Sequence, residues 1–105
     1  VERVLDRSTP EELADLVEDQ LGPLVAADAA RGTGLVDTLE AYLRCGGSKT
    51  VTAGVLFLRR QSVHQRLALI ESLLSVSPDH PDRQGPLRAA LAARELLATR
   101  GPLRR

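Results

Sequence analysis

Seven of eight consecutive residues near the middle of this 105-residue chain carry side chains suited to contact with nucleic acid. Residues 59–66 read Arg-Arg-Gln-Ser-Val-His-Gln-Arg and include no acidic residue. Guanidinium, amide, hydroxyl and imidazole groups can hydrogen-bond to base edges in the major groove of DNA or to its phosphates. The segment therefore predicts a surface that binds duplex DNA by reading bases and holding the backbone.

Each polar side chain of this surface has a predicted role. Base contacts are predicted for Arg60, Gln61, Ser62, His64 and Gln65. Phosphate contacts are predicted for Ser48, Lys49, Thr50, Arg59 and Arg66. Arg60 is the leading candidate, because a guanidinium that donates two parallel hydrogen bonds to guanine provides roughly 1–3 kcal/mol of discrimination. For the other residues, simple solvation of a helix surface stays an open alternative.

Two short helices joined by a tight turn must position these side chains. Ser48 is a good N-cap for a first helix that runs to about Phe57, and a turn follows at Leu58 and Arg59. The second helix is predicted over about residues 60–75, because apolar residues share one helical face: Val63, Leu67, Ile70 and Leu74. A helix with a basic, amide-rich first turn, held against a shorter helix, is how a helix-turn-helix enters the major groove.

Further helices are predicted before this pair. The motif Thr9-Pro10-Glu11-Glu12 begins a helix with a capping box, and Gly22-Pro23 is expected to end it. A short helical segment is predicted from Leu24 to Ala30. Thr33 is expected to begin the next helix, which ends at Gly46-Gly47 and has an apolar stripe of Leu35, Leu39, Tyr42 and Leu43.

The C-terminal part predicts a loop and one more helix. Ser77 to Pro86 holds three prolines and a glycine, which favours a loop, with one helical turn after Pro81 as an alternative. The last helix is predicted from Leu87 to Thr99, ended by Gly101-Pro102. No segment alternates convincingly between apolar and polar residues. The expected fold is therefore all-α, a compact bundle of about five helices that contains the helix-turn-helix.

The zero formal net charge hides a division along the chain. Residues 1–40 carry 3 basic and 10 acidic side chains, a net charge of −7. Residues 41–105 carry 11 basic and 4 acidic side chains, a net charge of +7. This asymmetry favours a basic working half and an acidic half that faces elsewhere, although charges that merely solvate helix surfaces would look the same.

Composition also argues against several classes of protein. The single cysteine, Cys45, forms no internal disulfide, which suits a reducing compartment and predicts a cytoplasmic protein. No apolar run approaches the roughly 20 residues of a membrane span, and no secretory leader is evident. His64 and His80 lack further ligands nearby in the sequence, so we expect no metal or other cofactor. No arrangement of nucleophile and base suggests an enzyme. Methionine is absent, even at position 1, so we expect the chain to be a piece of a longer protein.

The chain resembles the C-terminal DNA-binding domain of PucR/CdaR-type bacterial transcription regulators. The matching spacing is Leu35-x-x-Thr38-Leu39-x-x-Tyr42-Leu43-x-x-Gly46-Gly47, followed by Thr52-Ala53 and then by Arg60, Val63, Arg66 and Leu67. Leu21-Gly22-Pro23-Leu24 and Asp79-His80-Pro81-Asp82-Arg83 also resemble the family, which extends the resemblance over about residues 13–97. The helix pair itself is similar to the Fis type, with Phe57 where many such units have glycine.

The resemblance implies a domain organisation and a function. Residues 13–99 would form the DNA-binding domain, with the helix-turn-helix at 48–75, after a linker at 1–12 and before a tail at 100–105. The domain would bind double-stranded DNA as a homodimer, away from membranes, and an effector-sensing region would lie upstream and outside this chain. Arg59, Gln61, Ser62 and Gln65 replace the family's His, Asn, Thr and Tyr, so the operator sequence does not carry over.

Two other functions remain open at the level of sequence. One is a helical protein-interaction or dimerisation module that does not bind DNA, for which the acidic helix after Thr9 would serve. The other is a nucleoid-type binder with little sequence preference, although overall neutrality argues against it. Affinity for nucleic acid separates the first from the DNA-binding functions, and a comparison of promoter DNA with random DNA separates the second.

Overall fold

The computed structural model describes residues 8–100, which form five helices. In chain order these are α1 (Pro10–Arg31), α2 (Leu35–Arg44), α3 (Lys49–Leu56), α4 (Arg60–Leu74) and α5 (Pro81–Arg100). No strand occurs within the described residues, and the predicted all-α bundle is confirmed. The predicted helix stop at 101–102, most of the linker at 1–12 and the tail beyond residue 100 lie outside them.

Helix α1 begins as predicted but does not end where predicted. The capping box is present, because the Glu12 amide donates to Thr9 Oγ1 over 3.1 Å and the Thr9 amide donates to Glu12 Oε1 over 2.9 Å. The predicted stop at Gly22-Pro23 is wrong, since the helix continues through Pro23 to Arg31. Leu21 and Leu24 are both fully buried, and each contributes roughly 2 kcal/mol. That burial offsets the roughly 3 kcal/mol that an internal proline costs.

Helix α5 also runs through a proline, and it begins earlier than predicted. The sequence predicts a loop up to Pro86 with one helical turn after Pro81 as an alternative, yet α5 begins at Pro81 and runs through Pro86 without a break. Leu87 and Ala90 are fully buried in the core just after this proline. A helix that already runs from Pro81 sets their orientation, and the connection from α4 shrinks to the residues after Leu74.

Helix α2 lies at the centre of the bundle. It begins at Leu35, two residues later than predicted, after Gly34 in the left-handed conformation at φ 69°. The predicted apolar stripe is confirmed, because all four of its residues are buried: Leu35, Leu39, Tyr42 and Leu43. The Tyr42 hydroxyl donates to the Asp79 carboxylate, whose oxygens lie 2.9 and 3.0 Å away. Burial, the hydrogen bond to Asp79 and the charge of that carboxylate raise the pKa of Tyr42 to about 12.

The core joins the long outer helices to the helix-turn-helix. Helices α1 and α5 pack along each other, and α2 and α4 both pack against α1. Arg88 of α5 donates to the Leu43 carbonyl over 2.9 Å, which satisfies an end of α2. Helix α4 therefore rests on α1 and α2, α3 rests on α2, and α5 packs against α1 and α2. None of the described helices is long and apolar enough to cross a membrane.

Candidate nucleic-acid interface

Helices α3 and α4 form the predicted helix-turn-helix. Ser48 caps α3, because its hydroxyl accepts from the Val51 amide over 3.1 Å. The turn is fixed by backbone hydrogen bonds from the amides of Phe57 and Leu58 to the carbonyls of Gly54 and Ala53, at 3.3 and 2.9 Å. Phe57 takes the left-handed conformation at φ 57°, and α4 begins two residues after Leu58. The predicted bounds of both helices are confirmed to within about a residue.

The inner face of the pair is small and apolar. Ala53 of α3 is 7% exposed, and its short side chain belongs to the same core cluster as Val63 and Leu67 of α4. Val63 and Ile70 are fully buried, whereas Leu74 is half-buried. This packing leaves the opposite side of α4 exposed.

The side chains predicted to contact bases lie largely on that exposed side. Arg60, Gln61, His64 and Gln65 are all exposed, and Ser62 is half-buried. No acidic residue occurs between Glu40 and Glu71, while five basic residues lie in that interval. The face is therefore basic and rich in hydrogen-bonding groups. The individual base contacts stay predictions.

The side chains predicted to contact phosphates fall into different environments. Arg59 and Thr50 are exposed, whereas the Ser48 hydroxyl is used by the α3 cap. Lys49 is half-buried, and its Nζ lies 3.0 Å from His64 Nδ1. An ammonium can only donate, so His64 Nδ1 accepts this hydrogen bond and links the start of α3 to the exposed side of α4.

Arg66 turns inward, unlike the other basic residues of the segment. Its side chain is half-buried, and Nη1 donates to Thr38 Oγ1 over 3.1 Å. A Cβ atom at Gly34 would lie only 2.8 Å from the same nitrogen. The guanidinium thus attaches α4 to the start of α2, and this contact competes with the predicted phosphate contact. The signal available in the sequence was that Thr38 and Arg66 both match the family pattern.

Asp28 is a second residue whose role was not foreseen. Its carboxylate accepts from the amides of Leu35 and Val36 over 2.7 and 3.1 Å, and from the Thr33 hydroxyl. Burial by itself would raise the pKa of Asp28. The hydrogen bonds from Thr33, Leu35 and Val36 and the charge of Arg94 outweigh burial, so the pKa lies below its ordinary value of 3.8. No capping rule links residues seven positions apart, so the sequence carried no signal for this contact.

The remaining polar candidates belong to the scaffold. His80 Nδ1 accepts from the Asp82 amide over 3.2 Å, far along the chain from the His64–Lys49 contact. Arg83 donates to Gln20 of α1 over 3.2 Å, and Asp79 accepts from Tyr42. Asp79 and Arg83 therefore attach the connection before α5, and α5 itself, to α2 and α1.

Comparison with known proteins identifies a family for this arrangement. The model of the PucR C-terminal helix-turn-helix domain matches residues 35–93, which include α2, α3, α4 and most of α5. Three uncharacterized proteins, two from strains of Mycobacterium tuberculosis and one from Mycobacterium bovis, are 37% identical over 78 residues. The match covers 74% of this chain, and the chain spans 18% of the length of these relatives. No solved structure matches the chain. The chain belongs to the family of PucR C-terminal helix-turn-helix domains.

Proposed function

We propose that this chain is a sequence-specific DNA-binding domain of a bacterial transcription regulator, with the N-terminal half of α4 in the major groove. The observation that carries the proposal is the exposed face of α4. There, Arg60, Gln61 and Gln65 project from a helix-turn-helix in a 30-residue interval without acidic residues. Family membership supports the coarser statement that the domain is a DNA-binding regulatory module.

The proposed contacts are of two kinds, contacts to bases and contacts to phosphates. Arg60 reads a guanine, while Gln61 and Gln65 present amides of the kind that pair with adenine. Ser62 and His64 lie on the same two turns and complete the base contacts. Arg59 and the start of α3 hold phosphates, where Lys49 and Thr50 add to the helix amides.

Dimeric binding completes the proposal. One α4 helix reaches only a few base pairs, so useful specificity requires two copies on half-sites about 34 Å apart or a multiple of that. A region upstream of this domain would sense an effector in the whole protein. The chain spans 18% of the length of its relatives, so a protein of their length has room for such a region.

Binding to selected DNA tests the proposal. A duplex is selected from a random pool by the 105-residue chain, and its affinity is compared by fluorescence anisotropy with that of a random duplex at the same salt concentration. Tighter binding to the selected duplex, on the order of a thousandfold, is expected. Arg60→Ala should weaken that binding about 5- to 150-fold and leave the random duplex nearly unaffected.

A matched control is available on α5. Arg94 is exposed like Arg60 but lies on the outer helix, so Arg94→Ala should leave affinity for both duplexes unchanged. Equal affinity for selected and random DNA would favour the nucleoid-type function. No binding to either duplex at low salt would favour the protein-interaction module and overturn the proposal.

A further inference from the structure

Phe57 combines two features that disfavour phenylalanine in a folded domain. Its side chain is 94% exposed, while the other exposed large apolar residues range from 37% to 56%. Its backbone takes the left-handed conformation, with φ 57° and ψ 41°. Among the described residues only Ser75 shares a positive φ without being glycine. Glycine at this position would remove both the exposed ring and the backbone strain.

The strain is maintained by the turn itself. The amide of Phe57 donates to the Gly54 carbonyl, and the next amide along the chain donates to the Ala53 carbonyl. These bonds close the end of α3 and fix the direction in which the Phe57 side chain leaves the backbone. Strained backbone positions that carry an exposed side chain concentrate at functional sites. Packing among residues 8–100 does not account for the ring, so a contact with a partner is a physical reason for it.

The surroundings of the ring indicate what it contacts. Arg59 and Arg60 follow within three residues, and both are exposed. At 3.8 Å between successive Cα atoms, the Cα of Phe57 lies at most about 11 Å from that of Arg60. No acidic residue occurs between residues 41 and 70. A partner at this corner therefore carries negative charge and also offers apolar surface.

We propose that Phe57 is an apolar contact to duplex DNA, beside the groove that α4 enters. Deoxyribose rings and thymine methyl groups supply the apolar surface next to the phosphates, and phenylalanine is among the residues that pack on a thymine methyl. This inference rests on the proposed DNA-binding function. It adds an apolar contact to the hydrogen bonds that are proposed to bases and phosphates. The contact buries the ring without adding an ion pair.

The salt dependence of binding tests the role of Phe57. The affinity of the 105-residue chain for the selected duplex is measured by anisotropy at several salt concentrations, for wild type, Phe57→Gly and Phe57→Tyr. Phe57→Gly should bind about tenfold more weakly, since apolar burial is lost, with an unchanged slope of log affinity against log salt. Its melting temperature should equal or exceed that of wild type, because glycine accepts the left-handed conformation. Phe57→Tyr should bind as wild type does.

Two controls make the outcome specific. Val25→Ala removes apolar surface that is 37% exposed on α1, and it should not change DNA affinity. Arg59→Ala should lower the salt slope by about one, which distinguishes a phosphate contact from an apolar one.

Other outcomes overturn the inference. Wild-type affinity of Phe57→Gly at every salt concentration overturns it and leaves the proposed function intact. If Phe57→Gly instead changes the sedimentation coefficient of the free protein, the ring contacts a second copy of the chain. Absence of DNA binding by the wild-type chain overturns the inference and the proposed function together.

Discussion

Helices α2 and α4 begin in opposite ways, although the positive end of each helix dipole favours a negative charge. The first amides of α2 donate to the carboxylate of Asp28, so a negative charge inside the chain faces the positive end of that helix. Helix α4 begins after Arg59, and no described side chain caps its first amides. Two exposed cations, Arg59 and Arg60, lie there instead.

The difference separates a structural helix start from one suited to a ligand. Cations near a helix N-terminus are unfavourable by roughly 0.3–1 kcal/mol, since they repel the positive end of the dipole. The sequence thus makes the start of α4 less stable than it would be with an acidic cap. A phosphate would supply at α4 the negative charge that Asp28 supplies at α2, in agreement with the proposed function.

The largest expected effect comes from placing a carboxylate at the N-terminus of α4, as Asp28 does for α2. Arg59→Asp should raise the free energy of unfolding by about 1 kcal/mol, because aspartate is a favourable N-cap. The same change should weaken DNA binding by about 3 kcal/mol, roughly a hundredfold, because a phosphate-holding cation becomes an anion. Urea denaturation and a gel-shift titration measure the two effects.

Arg59→Asn is the control for this exchange. Asparagine also caps helices but carries no charge, so it should match the gain in stability and lose less affinity. The comparison between α2 and α4 fails if Arg59→Asp destabilises the domain and binds DNA as wild type does.

The next effect comes from removing the internal charge at α2. Asp28→Ala should lower the free energy of unfolding by about 2 kcal/mol, because the amides of Leu35 and Val36 lose their acceptor. Thermal unfolding followed by circular dichroism should show a melting temperature lower by about 10 °C. Asp37→Ala, which removes an exposed carboxylate from the first turn of α2, should change it much less. Equal effects of the two variants would show that general charge, rather than the hydrogen bonds of Asp28, stabilises α2.

The smallest expected effect is a loss of folding stability at acidic pH. The pKa of Asp28 is lower in the folded chain than its ordinary value of 3.8, so its carboxylate stabilises the fold above that pH. This contribution should be lost as the pH falls from about 5 through the folded pKa. Between those pH values, the free energy of unfolding should fall more for wild type than for Asp28→Asn, as measured by urea denaturation at each pH. If the free energy of unfolding depends on pH in the same way for both proteins, the lowered pKa of Asp28 is contradicted.

Local rules predicted the elements whose determinants lie within one or two helical turns. The capping box at Thr9 and Glu12 and the cap at Ser48 each depend on residues three apart, and both are present. The apolar face of α4 was visible for the same reason, since Val63, Leu67 and Ile70 repeat at helical spacing. The exposure of Gln61 then follows, because it lies opposite that face, whereas Arg60 lies at the edge of the face and is exposed in the first turn of α4.

The errors arose where long-range burial outweighed a local signal. Pro23 and Pro86 predicted a helix end and a loop, but buried Leu24 and Leu87 keep both helices continuous across them. The hydrogen bond from Arg66 to Thr38 was also not visible in the sequence, because 28 residues separate the two, and the phosphate contact of Arg66 stays a prediction.

By itself, the sequence determined the family, the helix-turn-helix and the basic, amide-rich face of α4, because spacing and residue type encode them within about 30 residues. Only the tertiary structure decided that α1 and α5 run through their prolines, that Asp28 caps α2 and that Arg66 turns inward. Those outcomes depend on which groups meet across the fold, where buried surface and paired charge outweigh the preferences of any short segment.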